Sequence, residues 1–275
     1  EKDYLHLKKA TTLQLFECGN HLLIKDIQRP KIAWGLCIIM ALVFHRIIVL
    51  LLNGLFETAK QDHKIAQYFL ATLYDSGRGV PKSTDFALKL YLLSANNGYA
   101  KAQSMLGRIY YEGKIVPKDY QAAVKWWERA ALQGHATAQN SLGLMYMKGN
   151  GVTKNASAGI KFLRQSAHQD NIAAQYNLGL VYKWGNGVAR NLQKTLKWFG
   201  LAAQQGHPKA QYQLAVFYGF GRGVPQDKIH GYIWARASAI NGFNRAKKLC
   251  RSLEKTMMPI QLNWAKTLSE LCIKK

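Results

Sequence analysis

Acidic side chains are scarce in this sequence. Fifteen Asp and Glu stand against 38 Lys and Arg in 275 residues, a formal net charge of +23. Catalysis by paired carboxylates needs two acids brought together, and so few acids make such a site hard to assemble. Cysteine is scarcer still. Its four positions are Cys18, Cys37, Cys250 and Cys272, none between residues 66 and 245, and their spacing fits no zinc-site pattern. Cys250 and Cys272 meet only if the last two helices pair; otherwise they are two buried thiols of a terminal cap. No HExxH, GxSxG or SxxK motif lies within residues 66–245, and the glycine-rich GRGVP segments match no phosphate-loop pattern. His135 and His207 recur beside Gly134 and Gly206, a place for an exposed helix cap rather than a liganding pair. We therefore nominate no catalytic, cofactor-binding or metal residue and expect no enzyme.

What the chain has instead is a period of 36 residues. Ala66, Ala102, Ala138, Ala174, Ala210 and Ala246 form one column, Leu70, Leu106, Leu142, Leu178 and Leu214 a second, and Tyr74, Tyr110, Tyr146, Tyr182 and Tyr218 a third. Gly77, Gly113, Gly149, Gly185 and Gly221 keep step, as do Val80, Val116, Val152, Val188 and Val224. Columns in phase over that length define a solenoid, and a solenoid presents a binding surface. Within one repeat, Ala102, Leu106, Ile109 and Tyr110 share a helical face. Gly113 closes this A helix as a left-handed cap. Ser83, Asp119, Asn155, Asn191 and Asp227 are the N-caps of the following B helices. Gly98, Gly134, Gly206 and Gly242 close the B helices, with Asp170 the exception. Trp126, with Leu90, Phe162, Trp198 and Trp234, is the expected large anchor of the B helix. Ala71, Gly107, Gly143, Gly179 and Ala215 are all small, which predicts a close backbone approach, with the Ala131 column as partner.

The predicted fold is all-α, a right-handed α/α superhelix of about five 36-residue helix-turn-helix repeats over 66–245 (66–101, 102–137, 138–173, 174–209 and 210–245). Residues 246–275 read as capping helices, with a closing helix after Pro259. Residues 1–31 read as a disordered or untranslated segment. Residues 32–56 are almost wholly apolar, interrupted by His45, Arg46 and Asn53. They are long enough to span a bilayer, and the lysines and arginines before them favour an inside amino end. A start at Met40 turns the same stretch into a signal peptide. Both readings place the repeats outside the cytoplasm, periplasmic, secreted or membrane-anchored. The alternative is a hydrophobic helix packed on the first repeat.

The pattern A-Q-x-x-L-G-x-x-Y-x-x-G-x-G-V-x-x-D…A-x-x-W-x-x-x-A-A-x-x-G resembles the Sel-1-like repeat family, a subclass of the TPR-like solenoids. Repeat two carries it at Ala102, Gln103, Leu106, Gly107, Tyr110, Gly113, Val116, Asp119, Ala123, Trp126, Ala130, Ala131 and Gly134. It departs at Ile115; repeat three departs at Gly159 and Asp170. The resemblance implies a scaffold or adaptor for protein complexes, as in bacterial envelope and host-interaction proteins and eukaryotic quality-control adaptors. A cysteine-rich branch described as a β-lactamase carries paired cysteines in each repeat; the repeats here have none, and that activity is not transferred.

Two surfaces are expected to bind. Positions three, seven and ten of the A helices resemble the concave lining of related solenoids. With their neighbours they offer Tyr68, Arg108, Tyr111, Leu144, Met147, Tyr176, Lys183, Trp184, Tyr212 and Phe220 as anchors for a protein or peptide partner. Lys89, Lys125, Lys161 and Lys197 recur on the B helices as a basic stripe. They make an anionic lipid, glycan or envelope polymer the alternative partner. A helical-repeat RNA reader would need variable polar pairs where these columns are apolar and tyrosine-rich. The expected array is monomeric.

Overall fold

The computed structural model describes residue 50 and residues 52–273. Residues 1–31 and most of the hydrophobic run 32–56, with Cys18 and Cys37, lie outside the described residues, as does the side chain of Cys272. No described helix is long and apolar enough to cross a membrane. Two compact units divide the chain, residues 1–133 and 134–275.

All regular structure among the described residues is helical. In the first unit a helical stretch over residues 52–60 precedes α1 (Lys64–Ser76), α2 (Thr84–Asn96), α3 (Ala100–Glu112) and α4 (Tyr120–Leu132). The second unit holds α5 (Ala136–Lys148), α6 (Ala156–Ala167), α7 (Ile172–Trp184), α8 (Leu192–Gln204), α9 (Pro208–Phe220), α10 (Lys228–Ile240), α11 (Asn244–Glu254) and α12 (Pro259–Ile273). From α1 to α10, odd-numbered helices are A helices and even-numbered ones B helices. Each A helix packs on the B helix that follows it, and within each unit each B helix packs on the next A helix.

The punctuation is chemical. Gly77, Gly113, Gly149, Gly185 and Gly221 end the A helices at φ between 65° and 77°, where a side chain would strain the backbone. The N-caps expected for the B helices all form: Ser83, Asp119, Asn155, Asn191 and Asp227 accept from the N–H three residues on, at 2.8 to 3.4 Å. Asp170 holds the left-handed position that glycine holds elsewhere, at φ 57°, and Asp62 does the same at φ 58°. Each carboxylate accepts from a glutamine five residues on, Gln175 and Gln67, at 3.3 Å. This bond offsets part of the cost of a left-handed aspartate.

Two packing expectations need correction. A Cβ on Gly107 would lie 2.4 Å from Trp127 Nε1, and one on Gly179 would lie 2.4 Å from the Phe199 ring. A Cβ on Gly143 would lie 2.9 Å from the Gly159 carbonyl oxygen and from Leu163. The small A-helix residues thus receive the column of Trp127, Leu163 and Phe199, not that of Ala131. This column, with Tyr91, is also the buried anchor of the B helix, because its residues point at the gap left by the missing side chains. The Trp126 column flanks it: Leu90 and Trp198 are buried as expected, while Trp126, Phe162 and Trp234 are half-buried. Gly159 has a reason as well, since a Cβ there would lie 2.8 Å from the Gly143 carbonyl oxygen of α5.

The helix over 52–60 is in step with the B helices. Ala59 sits in the Ala95 column and is buried, and Leu55 packs on the same core. The carboxy end of the apolar run therefore belongs to a helix packed on the first repeat. At the other end, Ala265 and Ser269 of α12 are buried, and Arg236 of α10 donates to Ser269 and Glu270.

Candidate functional site

The concave row divides once its side chains are placed. Position three is closed: Ser104 and Asn140 are buried, and the Asn177 side-chain amide donates to Asn140 at 2.9 Å. Tyr68 packs edge-on against Tyr99 at 5.2 Å, Tyr176 lies 4.5 Å from the His207 ring, and Tyr212 stands edge-on to Phe243 at 5.1 Å. These three are seams between neighbouring hairpins and only half accessible. Tyr111 leans on Tyr120 and Trp127, and Leu144 and Met147 pack against the Leu163 core. Arg108 is exposed, its guanidinium beside the Met105 sulfur at 2.8 Å.

Three members of the row form an open cluster. Trp184 and Phe220 are the last residues of α7 and α9, at the same position of successive repeats, and are 54% and 46% exposed. Lys183 Nζ sits 4.8 Å from the Trp184 ring centre and 5.6 Å from that of Phe217, and donates to Gln213 Oε1 at 2.6 Å. Burial, and then the charge of Arg222, hold its pKa below the usual lysine value. Arg222 covers the Phe220 ring at 5.8 Å. Arg190 donates to the Trp184 carbonyl oxygen at 3.4 Å. The result is two exposed aromatics at equivalent positions of successive repeats, each with cations beside it. Between Glu128 and Asp227 the sequence has a single acid, Asp170, and its carboxylate is engaged by Gln175.

Lys89, Lys125, Lys161 and Lys197 are all exposed on their B helices. His207 and His135, expected as exposed caps, are half-buried instead. Each is the N-cap of an A helix, with Nδ1 accepting from Ala210 at 3.1 Å and Ala138 at 3.3 Å. Burial, and then Lys209, lower the His207 pKa. Cys250 is a free thiol, pushed up to about 11 by burial first and by the Glu254 charge second, so it stays protonated and unreactive at neutral pH. No group of three His, Cys, Asp or Glu among the described residues could hold a metal ion.

Sequence reasoning missed a buried polar spine. Gln67, Gln103, Gln139, Gln175 and Gln211 are all buried. Each accepts on Oε1 from the amide of Asn97, Gln133, Gln169, Gln205 or Asn241, at 2.8 to 3.1 Å. Gln67, Gln103, Gln175 and Gln211 also donate to the carbonyl oxygens of Ala59, Ala95, Ala167 and Ala203. The signal was a glutamine after each of the first five column alanines, Ala66 to Ala210. An exposed stripe of Ile260, Trp264 and Leu268 on α12 was also unforeseen.

The Sel1 repeat model matches residues 64–99, 100–135, 136–171, 172–207 and 208–243. Each match begins at the first residue of an A helix, two positions before the alanine column. A Sel1 repeat protein from Oxalobacter formigenes is similar over 82% of this chain and 96% of its own, at 29% identity and a TM-score of 0.68. The protein c5321, a protective antigen of uropathogenic Escherichia coli strains with an SLR fold, is similar over 82% of this chain and 56% of its own, at 28% identity and a TM-score of 0.55. No curated protein matches the chain. Sel1 repeats form a non-catalytic scaffold fold and generally mediate protein–protein interaction. By the five repeats that fill residues 64–243, the chain belongs to the Sel1 repeat family.

Proposed function

We propose that this chain is an interaction scaffold that captures an extended or helical segment of a partner protein on the Trp184–Phe220 cluster. The observation that carries the reading is the exposure of two large aromatics at equivalent positions, with Lys183 and Arg222 beside them. Exposed tryptophan next to arginine is the composition of binding hot spots. Neighbouring cations without acids select a segment that combines apolar anchors with Asp or Glu. A peptide-display selection on the full chain tests this. It should enrich sequences pairing an aromatic or Leu with acids, and Trp184→Ala with Phe220→Ala should abolish that enrichment while leaving helical circular dichroism intact. Selection of no common motif, or an unaltered motif with the double variant, rejects the reading.

The exposure of all four stripe lysines supports a second reading, contact with an anionic lipid or glycan carried by charge. Binding would then collapse as salt rises. Export or membrane tethering rests on the apolar run 32–56, and sequencing the mature amino terminus separates a cleaved signal from an anchor.

A further inference from the structure

A cleft of about 400 Å³ opens between α6 and the turn that follows α7, within the size range of small-ligand sites. Ser157, Lys161 and Arg164 line it from one face of α6 at helical spacing, His168 at the C-cap continues the row, and Ile160 and Val188 supply an apolar wall. The arginine is held in place. Its Nη2 donates to the hydroxyl oxygen of Tyr182 at 2.7 Å, and Tyr182 itself is buried. The remaining guanidinium donors stay available in a fixed fork. The His168 ring is braced edge-on against Trp198 at 5.5 Å. Neither Lys161 nor Arg164 takes part in an ion pair among the described residues. The one acid of this part of the sequence, Asp170, is bonded to Gln175.

Two basic side chains, an imidazole and a hydroxyl in one cleft, with no acid among its lining residues, suit an anion with several oxygens. A carboxylate offers two oxygens and one charge. A phosphomonoester offers three terminal oxygens and close to two charges near neutrality, and Arg engages it through two parallel hydrogen bonds. We propose that this cleft binds a phosphomonoester group, with the organic part of the ligand against Ile160 and Val188. The site is separate from the Trp184–Phe220 cluster and does not depend on the protein-binding reading.

Calorimetric titration of the full chain at fixed ionic strength tests it, using inorganic phosphate, phenyl phosphate, and phosphatidylcholine vesicles with and without phosphatidic acid. Saturable binding of phenyl phosphate is expected, tighter than inorganic phosphate because of the apolar wall. Arg164→Gln and Lys161→Gln should each weaken it roughly tenfold. Lys101→Gln removes an exposed charge of α3 that belongs neither to the cleft nor to the lysine stripe, and it should leave binding unchanged. Binding of phosphatidic acid vesicles alone, lost with Arg164→Gln and kept with Lys101→Gln, identifies a lipid headgroup as the source of the same phosphate chemistry. Absence of binding in every arm overturns the site. So does equal loss in Lys101→Gln and Lys161→Gln, which would mean diffuse charge.

Discussion

At the residue scale, His207 shows how a cap can carry a pH response. Its Nδ1 must be unprotonated to accept the Ala210 N–H, and its folded pKa is lowered by burial and by Lys209. The unfolded chain then binds the proton more readily than the folded one. The stabilisation is complete above the unfolded histidine value of about 6.5 and is lost as pH falls through the lower folded value. Asn171 performs the same capping in the preceding repeat with an amide oxygen. His207→Asn should therefore keep stability at pH 7.5 and lose less of it than the parent on acidification, as read by urea unfolding at the two pH values. An identical acid loss in both proteins would contradict this. His207→Ala should cost about 1 kcal/mol at pH 7.5 by removing the cap.

Glycine gives a second contrast at this scale. Gly179→Ala drives a methyl to 2.4 Å from the Phe199 ring; overpacking of this kind costs about 1–3 kcal/mol, more than the helix propensity gained. Gly200 lies within α8, and a methyl added there would meet nothing within 4 Å. Gly200→Ala should instead stabilise by up to about 1 kcal/mol. Thermal melts of the two variants should shift in opposite directions.

At the element scale, the period, the caps and the left-handed turns were legible because each rests on local chemistry repeated at the same offset. The anchor was misplaced by one residue for a physical reason. The Trp126 column is uniformly large, so it looks like an anchor. The Trp127 column runs Tyr, Trp, Leu, Phe, Ala, so no uniform size marks it, and the glycines that Trp127, Leu163 and Phe199 meet across the hairpin cannot be paired with them without the fold. The concave row was legible only as a face: spacing places Tyr176 and Tyr212 on it, but not the rings of His207 and Phe243 that pack against them. The glutamine spine was written in the sequence but unread, since a glutamine on a helix ordinarily faces water. Its importance is testable. Gln211→Leu leaves the Ala203 carbonyl and the Asn241 amide without their partner, and unsatisfied buried groups cost about 1–3 kcal/mol. Gln211→Leu should lower the urea midpoint, and Gln213→Leu, on a half-buried side chain of the same helix, should lower it less.

At the scale of the whole molecule, charge dominates. The net charge is +23, and three of the four ion pairs given by the described residues join groups at most three positions apart in sequence. Little of the excess is neutralised internally, so self-repulsion opposes the folded state. Raising the ionic strength from about 0.01 to 0.15 M shortens the Debye length from about 30 to 8 Å and should raise the melting temperature. A melting temperature that falls over that range would show that attractive pairs outweigh the repulsion. The same excess favours acidic partners, which is why the aromatic cluster and the α6 cleft must each be separated from diffuse attraction by a charge-matched control.

The rungs of the glutamine spine join residues thirty positions apart, from Asn97 and Gln67 to Asn241 and Gln211. An insertion or deletion of one residue within a helix between such partners would rotate the remainder of that helix by about 100° and break its rung. Evolution can then exchange side chains along these repeats far more freely than it can alter their length.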